Sequence, residues 1–161
     1  MKYIAYGSNM VEKQMAYRCP NAKLIGTGYL PNHRLEFYLH ATVERSQAMG
    51  AKVPVAVWEI NEADEHSLDR YEGCPAFYYK KKMKVSMKSL LDGSELGEIE
   101  AIVYIMHEER ELGCPRPYYY DVCMEGYRRF GFDKKIMKKA LTDSVGKRRA
   151  DYFLQEAGWH E

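Results

Sequence analysis

No stretch of this 161-residue chain approaches the roughly 20 consecutive apolar residues that a membrane span requires. The N-terminus, Met1-Lys2-Tyr3-Ile4-Ala5-Tyr6-Gly7, has no apolar run of signal-peptide length, so a cytoplasmic protein is expected and membrane association is not. Cysteine is scarce. The four cysteines, Cys19, Cys74, Cys114 and Cys123, form no Cys-x-x-Cys pair, and no histidine lies at zinc-finger spacing from them. Three of the four precede a proline, which places them at turns or element ends. Reduced thiols are expected, with no disulfide among them. His33, His40, His66, His107 and His160 are scattered without metal-ligand spacing, so no metal site is expected. Gly-x-Gly-x-x-Gly and Walker loops are missing, which removes the usual nucleotide-binding signatures. Neither sign of charge dominates: the formal net charge is +1.

That small net charge is unevenly laid out. Glu59, Glu62, Asp64, Glu65, Asp69 and Glu72 face a single base, Arg70, within residues 59–73. Between Arg128 and Arg149 there are nine bases against Asp133 and Asp143. Such a tail either solvates a helical face or meets nucleic acid. We read it as the former, with no nucleic-acid partner expected.

The chain contains 46% hydrophobic and 29% charged residues, an ordinary globular composition in a single-domain length, 1–161. A real core is therefore available without staples. Lys2–Tyr6 reads as a buried strand broken by Gly7-Ser8. Asn9, with Glu12 three residues on, reads as the cap of a helix ending near Cys19-Pro20. Lys23–Leu30, Arg34–Leu39 and Val53–Ile60 read as strands, the last with an edge-like start at Pro54. Thr42–Lys52 reads as a loop. Asn61 caps a second helix to about Glu72, stopped by Gly73. Tyr78–Met87 alternates, with Lys80, Lys82 and Lys84 on one face, as in blunted sheet edges, and Glu98–Met106 is a further strand. Pro117 opens a third helix with the stripe Tyr119, Val122, Cys123, Tyr127 and Phe130; Asp133 caps a fourth along Ile136, Met137, Ala140 and Leu141. The class implied is α+β.

Two places carry chemistry. The turn Tyr6-Gly7-Ser8-Asn9 leads from a strand into a helix start, whose unpaired N–H groups suit an anion. Glu72 follows Leu68 by four residues and Ala63 by nine, so it shares their buried face, while Glu65 and Asp69 point to solvent. Burial and the negative end of the helix dipole both raise its pKa, which suits a general base near neutral pH. Tyr119 adds a hydroxyl near the start of the third helix.

Tyr3-Ile4-Ala5-Tyr6-Gly7-Ser8-Asn9-Met10 resembles the γ-glutamyl cyclotransferase family, whose strand ends in Tyr-Gly-Ser-Asn-Leu. Leu68-Asp69-Arg70-Tyr71-Glu72-Gly73 is similar to its Leu-Asp-x-x-Glu-Gly segment, and Pro115-Arg116-Pro117-Tyr118-Tyr119 to its Pro-x-Pro-x-Tyr. The resemblance implies a small, partly closed mixed β-barrel of five to six strands flanked by about four helices. It implies cyclisation of a γ-glutamyl amine or amino acid to 5-oxoproline plus free amine, without metal or cofactor. Glu72 would shuttle the proton, Tyr3, Ile4, Ala5, Tyr6, Gly7, Ser8 and Asn9 would hold the glutamyl group, and Tyr119 would touch substrate. A binding or scaffold domain on the same fold without turnover, and a nucleic-acid binder through residues 128–149, stay open. The oligomeric state is not expressed in the sequence.

Overall fold

The structure, a computed structural model, describes residues 1–159; His160 lies outside them. The elements in chain order are β1 (Lys2–Ala5), α1 (Glu12–Arg18), β2 (Lys23–Pro31), β3 (His33–Phe37), β4 (Ala41–Arg45) and β5 (Lys52–Glu59). They continue with α2 (Glu62–Glu72), β6 (Tyr78–Lys88), β7 (Glu95–Met106), α3 (Pro117–Phe130), α4 (Lys135–Val145) and α5 (Lys147–Glu156). Five strands close a barrel in the order β1-β5-β2-β6-β7, and β3 and β4 form a separate ribbon. The barrel is mixed because β1 meets β7 in parallel, Tyr3 opposite Ile102, while its other pairs are antiparallel. The expected α+β class and mixed barrel are observed, the barrel fully closed and five α-helices present among the described residues.

The central position of β1 explains its composition. Paired with β5 on one side and β7 on the other, it buries Tyr3, Ile4 and Ala5 together, so it reads as a continuous apolar run. Pro54 lies in an interior strand, yet β1 ends opposite Ala56, so β5 has only β2 beside it at Pro54. A residue without an N–H is tolerated there. Along β6, pairing with β2 covers only Ser86–Lys88, which leaves the Lys80–Lys84 edge unpaired on that side.

Four local expectations are corrected. Asn9 does not cap an α-helix: it sits inside a 3-10 turn, Ser8–Met10, and α1 starts at Glu12 behind Val11. Thr42–Arg45, the start of the segment expected as a loop, belong to β4, paired with β3. Ala41, Thr42 and Val43 are all buried, so no polar face exists to produce an alternating pattern. Tyr78 begins the lysine face of β6 but is buried, and Lys80 is drawn to Glu65 (2.7 Å) and Asp69 (3.1 Å) of α2. Those two carboxylates are therefore not free in solvent. On α2 the buried positions are Asp64 and Leu68, whereas Ala63 is exposed.

The boundaries of α2 are chemically firm. Asn61 Oδ1 accepts from the Asp64 N–H at 2.8 Å, and Asp64 Oδ2 accepts from the Asn61 N–H at 3.0 Å, a reciprocal capping box. Gly73 ends the helix at φ 63°, in the left-handed region that glycine adopts without penalty. Asp133, expected to cap α4, sits one residue before the cap position: Lys134 occupies it, and Asp133 Oδ1 accepts from the Lys135 N–H at 3.0 Å. The basic C-terminal segment forms α4 and α5. The Phe37 N–H of β3 donates to Ser144 Oγ of α4 at 2.8 Å, and Lys139 and Lys147 pair with Asp143 and Asp151 four residues on.

One close approach links this framework to the loop after β1. Gly126 of α3 packs against fully buried Met10, and a Cβ at position 126 would lie 2.9 Å from Met10 Cβ. Gly126→Val should therefore lower the unfolding free energy by about 1–3 kcal/mol through overpacking, measured as a reduced urea midpoint at unchanged slope.

Candidate active site

The loop after β1, the end of α2, the start of β4 and the beginning of α3 converge on one cavity. It is tight, with a volume of about 30 Å³, and opens to solvent. Tyr3, Ile4, Tyr6, Gly7, Ser8, Asn9, Glu72 and Tyr119 line it. Of the residues expected there from the sequence, Ala5 is the exception, buried opposite Ala56 of β5 and away from the cavity. His40, Ala41, Tyr71, Tyr78 and Tyr104 also contribute to the wall.

Several wall residues are held by identifiable bonds. Asn9 Nδ2 donates to the Tyr3 hydroxyl at 3.1 Å, its carbonyl accepts from Trp58 Nε1 at 3.0 Å, and its Oδ1 accepts from Arg18. The Tyr6 hydroxyl donates to the Tyr104 carbonyl at 2.6 Å. Ala41 is gripped on both sides of its peptide plane: its N–H donates to the Tyr119 hydroxyl at 2.9 Å, and its carbonyl accepts from the Tyr78 hydroxyl at 2.8 Å. The ribbon β3–β4 thus sets one wall, which is why Ala41 could not be found from local pattern.

Gly7 is required for a different reason from the one its turn suggested. Its φ of −119° is open to other residues, but a Cβ there would lie 2.7 Å from the Tyr119 hydroxyl. Glycine is needed for closeness rather than for a left-handed backbone. The loop also does not present a long helix's N-terminus to the cavity. What it offers is the backbone and side chains of Ser8 and Asn9 in one 3-10 turn, Ser8 Oγ lying 3.5 Å from the Tyr71 hydroxyl.

Glu72 stands at the last residue of α2, on the face fixed by fully buried Leu68. Among the described residues no hydrogen bond reaches its carboxylate. The residue keeps some solvent contact through the cavity mouth, while its carboxyl end is enclosed. Burial pushes the carboxyl from an ordinary 4.5 up to about 7, against the opposing pull of Arg18. The hydroxyls of Tyr3, Tyr6, Tyr78 and Tyr119 are held well above the ordinary value, first by burial and also by the Glu72 charge. They are neutral hydrogen-bonding groups at neutral pH. His40 stacks on Tyr119 with ring centroids 4.7 Å apart, and its pKa is lowered by burial and then by Arg18 and Arg116.

The thiols do not suit nucleophilic chemistry. Burial raises Cys19 to about 11 and Cys123 to about 12, and it raises Cys74 and Cys114 as well. All four cysteines are free. Among the described residues no group of three or more His, Cys, Asp or Glu is placed to hold a metal ion, and no helix is long and apolar enough to cross a membrane.

A closed mixed barrel with a carboxyl facing a strand-turn loop across a cavity defines a class of small α+β domains. The profile of the family "Gamma-glutamyl cyclotransferase, AIG2-like" matches residues 3–128, and the chain belongs to that family. It is 26% identical over 159 residues to the gamma-glutamylcyclotransferase of Homo sapiens, covering 90% of this chain and 81% of that protein. The gamma-glutamylcyclotransferase of Mus musculus is 28% identical over 148 residues, covering 85% and 75%. A solved structure of a gamma-glutamyl cyclotransferase superposes with a TM-score of 0.73 at 24% identity, over 96% of this chain and 98% of that one. At that identity the likeness is one of fold.

The contact between Gly7 and Tyr119 generates a prediction. Tyr119→Phe strips the acceptor from the Ala41 N–H and should cost about 1–3 kcal/mol. Gly7→Ala should also destabilise, but the double variant should be more stable than the sum by about 1 kcal/mol, because the colliding oxygen has gone. Chemical denaturation of the three variants measures that coupling.

Proposed function

We propose that this protein is a γ-glutamyl cyclotransferase that converts a γ-glutamyl amine or amino acid to 5-oxoproline and free amine. The observation that carries the reading is Glu72, a buried carboxyl with a pKa of about 7 facing the Gly7-Ser8-Asn9 loop across one cavity. Family membership and the named relatives support the reaction class. We take the protein to work in the cytoplasm, on a small substrate.

The substrate's α-ammonium group, with an N-terminal-type pKa of about 8, cannot attack until it loses a proton. Glu72 takes that proton. The freed nitrogen attacks the γ-carbonyl carbon, and the tetrahedral oxyanion is stabilised by donors of the loop. Glu72 then protonates the leaving nitrogen, and the bond between it and the γ-carbon breaks. Two protons pass in all from the α-nitrogen to the leaving amine, which departs as an ammonium ion. No water is consumed, and the balance requires no cofactor. A base must lose and regain its proton readily, and a pKa near ambient pH serves both steps. The neutral tyrosine hydroxyls and the loop hold the glutamyl part, Tyr119 from the rim shared with His40.

Incubation with a panel of γ-glutamyl amides and amino acids, assayed for 5-oxoproline, tests the activity; binding without release would replace it with a binding-domain reading. Wild-type kcat/KM should rise with pH along an acid limb centred near 7. Glu72→Gln should bind substrate but lose turnover by about 10² to 10⁴. It should also be the more stable protein at high pH. The wild-type penalty is absent below 4.5, grows as pH climbs from there to about 7, and is complete above. Thermal or urea unfolding should therefore show the advantage of Glu72→Gln widening by about 3 kcal/mol between pH 4 and pH 8.

A further inference from the structure

Arg18, at the end of α1, lies behind the cavity wall yet touches two of the parts that shape it. Its guanidinium carbon sits 3.6 Å from the centroid of the Tyr71 ring, and Tyr71 precedes Glu72 in α2. Its Nη1 donates to Asn9 Oδ1 in the loop. With that oxygen engaged, the Asn9 amide turns its Nδ2 to the Tyr3 hydroxyl, 3.1 Å away. A planar guanidinium does both at once, lying flat on an aromatic ring while an edge donates a directional hydrogen bond. A lysine ammonium keeps the charge and loses the fork and the stack.

We propose that Arg18 is a positioning residue for the cyclisation, a clamp that fixes the Ser8-Asn9 loop relative to the Glu72 end of α2 and supplies the positive charge that keeps the carboxylate available. The proposal rests on Glu72 being the base. Geometry carries it, and electrostatics agrees. The groups facing Glu72 are Tyr3 of β1, Tyr6 just after it, Tyr71 beside Glu72, Cys74 just beyond α2, Tyr78 of β6, Tyr104 of β7, Tyr119 of α3 and His40 at the rim. Burial raises Tyr3, Tyr6, Tyr78, Tyr104, Tyr119 and Cys74, and it lowers His40, so these stay neutral near pH 7. Arg18 is the cation whose field opposes the burial of Glu72.

The test compares wild type with Arg18→Met and Arg18→Lys by two readouts. The Glu72 titration midpoint is followed by NMR of carboxyl-labelled protein, its signal assigned by its loss in Glu72→Gln; kcat and KM are measured from pH 6 to pH 9. Arg18→Met should raise the midpoint by roughly one pH unit and lower kcat/KM about 30- to 100-fold at pH 6, where the smaller ionised fraction and the lost positioning multiply. A deficit in kcat of about threefold to tenfold should persist at pH 9, where Glu72 is ionised in either protein. Arg18→Lys should restore the midpoint but keep the pH 9 deficit. An unmoved midpoint in folded Arg18→Met, or wild-type kcat at pH 9 in Arg18→Lys, overturns the proposal. Should Arg18→Met not fold, the Arg18→Lys deficit at pH 9 alone decides. A midpoint that moves while the acid limb of kcat/KM stays put removes Glu72 as the base and overturns the proposal with it, leaving only the charge of Arg18 felt at Glu72.

Discussion

Keeping a carboxyl out of water at the end of a helix is the demand around which this molecule is arranged. Desolvation of Glu72 works against the ionised form, and so does its place at a helix C-terminus. The surroundings are built to hold the carboxyl there regardless. Leu68, fully buried, sets the roll of α2, while the Asn61–Asp64 capping box and Gly73 fix where the helix begins and ends. Lys80 anchors the outer face by holding Glu65 and Asp69, and the Tyr104 hydroxyl donates to Asp69 at 2.6 Å. The helix therefore presents one carboxylate to the cavity, uses buried Asp64 in its cap and commits two others to structural pairs.

The opposite wall is governed by closeness. Two glycines allow it: Gly7 lets the loop lie against the Tyr119 hydroxyl, and Gly126 lets α3 lie against Met10. Between these contacts the loop has little freedom, and Trp58 Nε1 holds it from β5 through the Asn9 carbonyl. Preorganisation of this kind would serve the proposed cyclisation, whose transition state differs from its ground state chiefly in where charge sits.

The peripheral helices belong to the same support. Met137 and Leu141 of α4 are fully buried, and Ser144 holds the backbone of β3. The β3–β4 ribbon in turn delivers Ala41, whose peptide groups fix Tyr78 and Tyr119. A segment that looked like a basic appendage thus acts on the cavity at two removes, through packing rather than charge.

How much of this could be read beforehand follows from the range of each interaction. The β1 run, the caps at Asn61 and Gly73, the start of α3 at Pro117 and the burial of Glu72 beside Leu68 are local matters of period, propensity and capping, and they stood in the sequence. The loop Tyr6–Asn9 was visible as a turn, though not its reason, since Gly7 answers to Tyr119, 112 positions away. Ala41, Tyr78, Tyr104 and Arg18 left no local signal. β4 is buried on both faces and shows no alternation, and Lys80, Glu65 and Asp69 look solvated until β6 lies beside α2. By itself the sequence determined most of the helices and strands, β4 and α5 excepted, and singled out Glu72 on the face of Leu68, because neighbours three or four residues apart settle those questions. Only the tertiary structure decided what that carboxylate faces, because a cavity exists where distant segments meet and no single segment encodes its shape.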